Sequence, residues 1–149
     1  NNCIPAILGM SMQEAFSDVA TSRICLAVWK EGLDIVTRSA IALASLPNFP
    51  VERLTRLTSM ATDEAATIFS GMMINLSEEP LFGSILQSIR RGRPSEIDYI
   101  NGEFVTLARD HNHAAPLNEM LVGLVHRVER TGRHLTRREL LSETAGLVQ

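Results

Sequence analysis

Apolar residues recur along the chain three and four positions apart, the repeat that gathers side chains onto one face of an α-helix. Leu26, Trp29, Leu33, Val36, Ala40 and Leu43 keep this rhythm, and Ile24, Val28 and Ile35 widen the stripe. So broad an apolar surface predicts a core helix from about Asp18 to Leu43, covered on more than one side. Before it, Ser11 followed by Glu14 matches a capping box that starts a helix. Pro47 and Pro50 break the pattern, and a second long helix is expected after them, with Leu54, Leu57, Ala61, Ala65, Ile68 and Met72 on its buried face. Met60, Met72 and Met73 belong to the same stretch and read as core filling rather than a soft metal site.

Asn75 to Pro80 is a polar break, after which Ser84 to Ile89 reads as a short helix stopped by Gly92 and Pro94. Ser95, with Asp98 three residues on, is expected to cap the next helix, whose buried stripe would be Ile97, Ile100, Phe104 and Leu107. A loop from Asp110 to Ala115 leads to Pro116, which opens a helix with Leu117, Met120, Leu121, Leu124, Val125 and Val128 inward. A weaker helix is expected over Arg137 to Leu147. No segment of four to eight residues alternates cleanly between apolar and polar, so the class is all-α in one domain over residues 1–149.

Composition narrows the partners. With 45% hydrophobic and 21% charged residues the chain should fold, and its formal net charge of −3 draws it to neither nucleic acid nor an anionic membrane. Arg127, Arg130, Arg133, Arg137 and Arg138 make the tail locally basic, a pattern usual for a solvated helix face. The stretch from Ser39 to Val51 is too short and too interrupted to span a bilayer. Two cysteines, Cys3 and Cys25, are too few for a disulfide framework and fit a reducing, cytoplasmic setting. The chain opens on Asn1-Asn2-Cys3 without a methionine and reads as part of a longer one.

Familiar catalytic signatures are missing: there is no Gly-rich phosphate loop after a strand, no CxxC and no HExxH. Asp110, His111 and His113 crowd one loop, but no further ligand has recognisable spacing, so no metal is expected. His126 and His134 read as solvated.

One segment rises above this background. Gly83-Ser84-Ile85-Leu86-Gln87-Ser88-Ile89-Arg90-Arg91-Gly92-Arg93-Pro94-Ser95-Glu96-Ile97-Asp98-Tyr99-Ile100-Asn101-Gly102 closely resembles the part of ketopantoate reductases that runs from a substrate-binding serine, through Leu-Gln and an Arg-rich turn, to Thr/Ser-Glu-Ile-Asp-Tyr-Ile-Asn-Gly. Pro116-Leu117-Asn118 resembles the family's next landmark, and Asn2 with Ala6-Ile7 more loosely resembles its Asn-Pro-Leu-Thr-Ala. The resemblance implies a C-terminal helical bundle of the 6-phosphogluconate dehydrogenase C-terminal-domain type, joined in the family to an N-terminal Rossmann domain that binds NADPH and is absent here. It further implies hydride transfer to 2-dehydropantoate, giving pantoate for pantothenate synthesis, and often a homodimer. Carried onto this chain, Ser84 would bind the substrate carboxylate, Glu96 would hydrogen-bond the reacting oxygen and help position a catalytic lysine, and Asn2 would line the pocket. A hydroxyl at a helix start can help hold a carboxylate, whereas the plain role for Glu96 is stabilising a helix end.

Three departures bear on that inference. The family's lysine, expected a few residues before Asn2, is not in the chain; Met12 stands where glycine or asparagine is usual; and Ser88 replaces the aspartate after Leu-Gln. A paralogue acting on another 2-oxo acid is therefore an alternative, as is a helical dimerisation module with no catalytic role. Lacking both phosphate loop and lysine, the isolated chain is predicted to be inactive and to bind NADPH poorly. Calorimetry checks this, and micromolar binding by the fragment alone would refute it.

Overall fold

The computed structural model describes residues 2–45, 47 and 50–148; Asn1, Leu46, Asn48, Phe49 and Gln149 lie outside the described residues. Among the described residues there are nine α-helices and no strand: α1 (Cys3–Leu8), α2 (Met12–Phe16), α3 (Val19–Arg38), α4 (Val51–Ser59), α5 (Thr62–Ile74), α6 (Ser84–Arg90), α7 (Ile97–Asp110), α8 (Pro116–Thr131) and α9 (Arg137–Thr144). The main core gathers α1, α2, the first half of α3, α5, α6 and α8, with Leu135 and Leu140 closing it from the C-terminal side.

α1 has no counterpart among the expected helices. All six of its residues are buried, so there is no polar face to betray a period. It stops at Gly9, whose φ of +71° suits a residue without a Cβ. A Cβ there would also stand 2.8 Å from the His134 ring. Ser11 caps α2 as expected, its side chain accepting from the Glu14 amide. The capped helix is only five residues long, and α3 starts afresh from the Asp18 cap. Cys3 and Cys25 are buried free thiols; burial pushes the Cys3 thiol up and that of Cys25 up to about 12.

α3 ends at Arg38, short of the expected Leu43. Ala40 takes a left-handed φ of 54°, its amide donates to Thr37 O, and the Ile41 amide reaches back to Val36 O. This paired closure satisfies the last carbonyls with an alanine where glycine is usual, against a left-handed penalty of roughly 1 to 2 kcal/mol. Leu43, beyond it, is exposed.

The second long helix is two. Met60 and Ala61, with ψ of 166° and 133°, separate α4 from α5. Asp63 and Glu64 then complement the positive end of α5. The break rotates α5, so that Ala65, Ala66, Phe69 and Met73 are buried while Ile68 lies outside. Phe69 packs edge-on against both Phe16 and Trp29, with centroids 5.1 and 5.2 Å apart. α7 is rotated similarly: Ile97, Asn101 and Ala108 are buried, Ile100 is partly exposed, and Phe104 and Leu107 are half-buried.

α8 begins at Pro116 and buries Leu117, Leu121, Leu124, Val125 and Val128 as expected. Its own N-cap, Ala115, offers no side-chain acceptor. Glu31 of α3 supplies one instead, accepting from the Leu117 amide at 2.9 Å and from both the amide and Nδ2 of Asn118 at 2.8 Å. Asn118 Oδ1 in turn accepts from Asn101 Nδ2 at 2.8 Å, tying α3, α8 and α7 together. α9 carries a full capping box between Thr136 and Glu139. The Thr136 amide, then Arg133 and the Thr136 hydroxyl, hold the Glu139 carboxyl down at about 2. The tail arginines are largely engaged: Arg127 with Glu143, Arg133 with Glu139, and Arg137 with the Glu14 carbonyl.

The link from α5 to α6 is fastened by Gln13 of α2. Its Nε2 donates to Ser77 O and Glu79 O at 3.1 and 2.8 Å, and its Oε1 accepts from the Leu81 amide at 2.9 Å. The Met12 amide donates to Leu81 O at 2.8 Å. Gln13→Ala is therefore expected to speed hydrogen exchange at the Leu81 amide and to cost about 1 to 2 kcal/mol, the scale of a few partly exposed hydrogen bonds. Glu31→Ala leaves the first donors of α8 without their acceptor and should cost about 1 to 3 kcal/mol. Urea titration measures both, and an unchanged midpoint for Glu31→Ala would show that the α8 start does not depend on it.

Candidate functional site

Three helix starts converge on one surface. Ser84 is the first residue of α6, and its hydroxyl donates to Glu96 Oε1, twelve residues further on. Glu96 occupies the N-cap position of α7, yet its carboxylate bonds to no backbone amide there. This corrects the expectation that Ser95 caps the helix: the cap position is one residue later, and the Ser95 amide donates to Glu129 Oε1 at 2.8 Å. Asn2, at the N-cap of α1, has a helical backbone and likewise makes no side-chain cap. A Cβ on Gly83 would lie 3.1 Å from Asn2 Cγ and 3.2 Å from its Oδ1. The absence of a side chain at 83 thus lets the Asn2 amide lie against the backbone that leads into Ser84.

Each of these polar residues stands immediately before a fully buried one: Asn2 before Cys3, Ser84 before Ile85, and Glu96 before Ile97. Asn2 is half-buried, and Ser84 and Glu96 are exposed. The arrangement presents an amide, a hydroxyl and a carboxylate together, a set able to hydrogen-bond an oxygen-rich small molecule from one side.

Behind Glu96 lies a second polar cluster. His126 of α8 places Nδ1 2.8 Å from Glu129 Oε2 and Nε2 2.9 Å from Asp98 Oδ1. Glu129 also holds the Ser95 amide, so the residues at 95 and 98 are both tied to α8. The hydrogen bond to Glu129, ahead of the opposing effect of partial burial and the added pull of Asp98, raises the His126 pKa above its ordinary value. Burial works against ionisation of Glu129, but its bonds from Ser95 and His126 win, and its pKa is lowered. Arg90, the last residue of α6, stacks 4.3 Å over the Phe82 ring and donates to Gly9 O.

Asn2, Ser84 and Glu96 are therefore neighbours in space. Met12 points into the main core, and Ser88 is half-buried on α6. Asp110 ends α7, with His111 and His113 in the turn that follows, and among the described residues no group of three or more His, Cys, Asp or Glu is placed to hold a metal. Neither His126 nor His134 is simply solvated: the first bridges two carboxylates, and the second sets Nδ1 3.0 Å from Ala6 O. The spacing of His126 and Glu129, one helical turn, signals a local pair, but nothing along the chain announces Asp98. No described helix is long and apolar enough to cross a membrane.

The chain is similar to proteins named 2-dehydropantoate 2-reductase. A 2-dehydropantoate 2-reductase of Yersinia pestis is 29% identical over 138 residues, covering 82% of this chain and 46% of that protein. Proteins of the same name from Pyrococcus abyssi and Pyrococcus horikoshii are 48% identical over 44 residues and 45% over 51, covering 30% and 34% of this chain and 15% and 17% of theirs. The chain thus spans less than half the length of each of these relatives. No solved structure matches it. The family model described as "Ketopantoate reductase PanE/ApbA C terminal" matches residues 1–129, a span that includes Asn2, Ser84, Glu96, His126 and Glu129, and the chain belongs to that family.

Proposed function

We propose that this domain supplies the substrate side of an active site shared with an N-terminal, NADPH-binding Rossmann domain, in an enzyme that reduces 2-dehydropantoate to pantoate. The observation that carries this reading is the pairing of Ser84 with Glu96 beside Asn2. Two of the three occupy cap positions without capping, so their polar groups are available for work other than ending a helix. Because Ser84 and Glu96 are exposed, a second wall is needed to exclude water, and the N-terminal domain would provide it.

When bound, NADPH supplies the hydride that reduces the ketone carbon. When substrate binds, the Ser84 hydroxyl turns its proton from Glu96 to the substrate carboxylate, and the Asn2 amide lines the pocket beside it. Glu96 orients a lysine of the longer chain, which gives the reacting oxygen its proton as the carbonyl becomes an alcohol, and Glu96 then accepts a hydrogen bond from the new hydroxyl. Pairing with a second copy is part of the same proposal: a groove of about 310 Å³ between α3 and α7, with Leu33, Ile100 and Phe104 in its wall, leaves an apolar face for it. The buried, protonated thiols of Cys3 and Cys25 suit a cytoplasmic setting.

A purely structural dimerisation module would make no use of the Ser84–Glu96 pair. A reductase for a related 2-oxo acid is favoured by the departures at Met12, whose apolar side chain is buried in the core, and at Ser88, half-buried on α6. The reading is tested in the full-length reductase. Glu96→Gln keeps the shape but removes the charge, and turnover should fall roughly a hundredfold or more. Ser84→Ala should raise KM more than it lowers kcat, since a carboxylate contact is present in ground and transition states alike. A Glu96→Gln enzyme that melts early yet turns over normally would defeat the catalytic role.

A further inference from the structure

Glu96 sits on a short turn, and that turn is gripped on both sides by one helix. The Ser95 amide, on its N-terminal side, donates to Glu129, and Asp98, on its C-terminal side, accepts from His126, which is itself bonded to Glu129. Ile97, between Glu96 and Asp98, is fully buried, so the turn has little freedom except through these two polar contacts. We propose that His126 and Glu129 are positioning residues for Glu96, holding the 95–98 turn so that its carboxylate meets Ser84, and that the grip is complete only while His126 carries its proton.

The chemistry requires the proton. Both ring nitrogens of His126 face carboxylate oxygens, and only an imidazolium can donate from both. Once neutral, the ring turns a lone pair toward either Asp98 or Glu129, and one of the two contacts becomes repulsive. The groups around it are Asp98 on α7, Glu129 on α8, and the cations Arg93 and Arg130, which line the same cleft. The two carboxylates, Glu129 foremost, outweigh burial and set the His126 pKa above 6.5. A group so raised stabilises the folded state fully below its unfolded pKa, and the contribution is lost as pH rises through the folded value. The turn is therefore held firmly in mildly acidic solution and released toward the alkaline side. Glu129, whose pKa is lowered, contributes above its unfolded value and is lost only as pH falls through the folded one.

The proposal rests on reading Glu96 as a working carboxylate, and the test keeps the two apart. In an NMR pH titration of this chain, the amides of Ser84 and Glu96 are expected to shift with the midpoint of the His126 ring. Glu129→Gln should lower that midpoint and carry both amide transitions with it. His126→Gln should abolish the shared transition. Amides that stay still while His126 titrates, or that keep the same transition in His126→Gln, would overturn the proposal. In the full-length reductase, kcat should drop roughly tenfold to a hundredfold as pH rises through the His126 midpoint, the scale of a small misplacement of a reacting group. In Glu129→Gln that drop should move to lower pH, whereas mere loss of stability would reduce activity without moving the midpoint. A fully active Glu96→Gln enzyme with the coupled titration intact would remove the functional reading and leave the grip standing. An inactive Glu96→Gln enzyme without the coupled titration would do the reverse.

Discussion

A six-residue helix buried on every side must pass its terminal carbonyls to partners, because water cannot reach them. In α1 this need organises the surroundings. The Leu135 amide takes Ile7 O at 2.9 Å, the Met10 amide takes Pro5 O at 3.0 Å, and the His134 ring meets Ala6 O. Arg90, at the end of α6, reaches Gly9 O. The segment before α9 and the C-terminal end of α6 are thus drawn to one end of α1. Its other end brings Asn2 out beside Gly83. What satisfies the buried helix also places the polar surface.

That surface is stiff for a related reason. Asn2, Ser84 and Glu96 each precede a residue with no solvent exposure, so the backbone is anchored at the residue next to the side chain that matters. Glu31 adds a longer brace through Asn118 and Asn101, the latter five residues along α7 from Glu96. A polar group presented this way loses little further freedom on meeting a ligand, which favours recognition.

Much of the fold was legible because three-and-four spacing survives wherever a helix keeps one wet face. α6 came through with its start intact, and α8 with its start and all its expected inward residues except Met120, which is half-buried. α1 did not, being apolar all round and too short for a period to show. The break at Met60–Ala61 and the end of α3 at Ala40 were hidden because neither contains glycine or proline. In α7, Asn101 occupies a buried position that an apolar template assigned to Ile100, its burial made tolerable by the Asn118 partner. For the site, the motif around Ser84 and Glu96 marked the residues, but only the fold could say that α6 and α7 bring them into contact. His126 was half-legible, since its pairing with Glu129 is local in sequence while Asp98 lies 28 residues away.

The two thiols make this core its own reporter. Alkylating reagents attack thiolates, and burial keeps Cys3 and Cys25 both protonated and out of reach. The rate at which either is labelled is then governed by how often its part of the core opens, not by the reactivity of sulfur. Cys3 sits at the first turn of α1, directly behind Asn2, and Cys25 lies inside α3. Their labelling clocks would run together if the core opens as one unit and separately if the start of α1 can lift away alone.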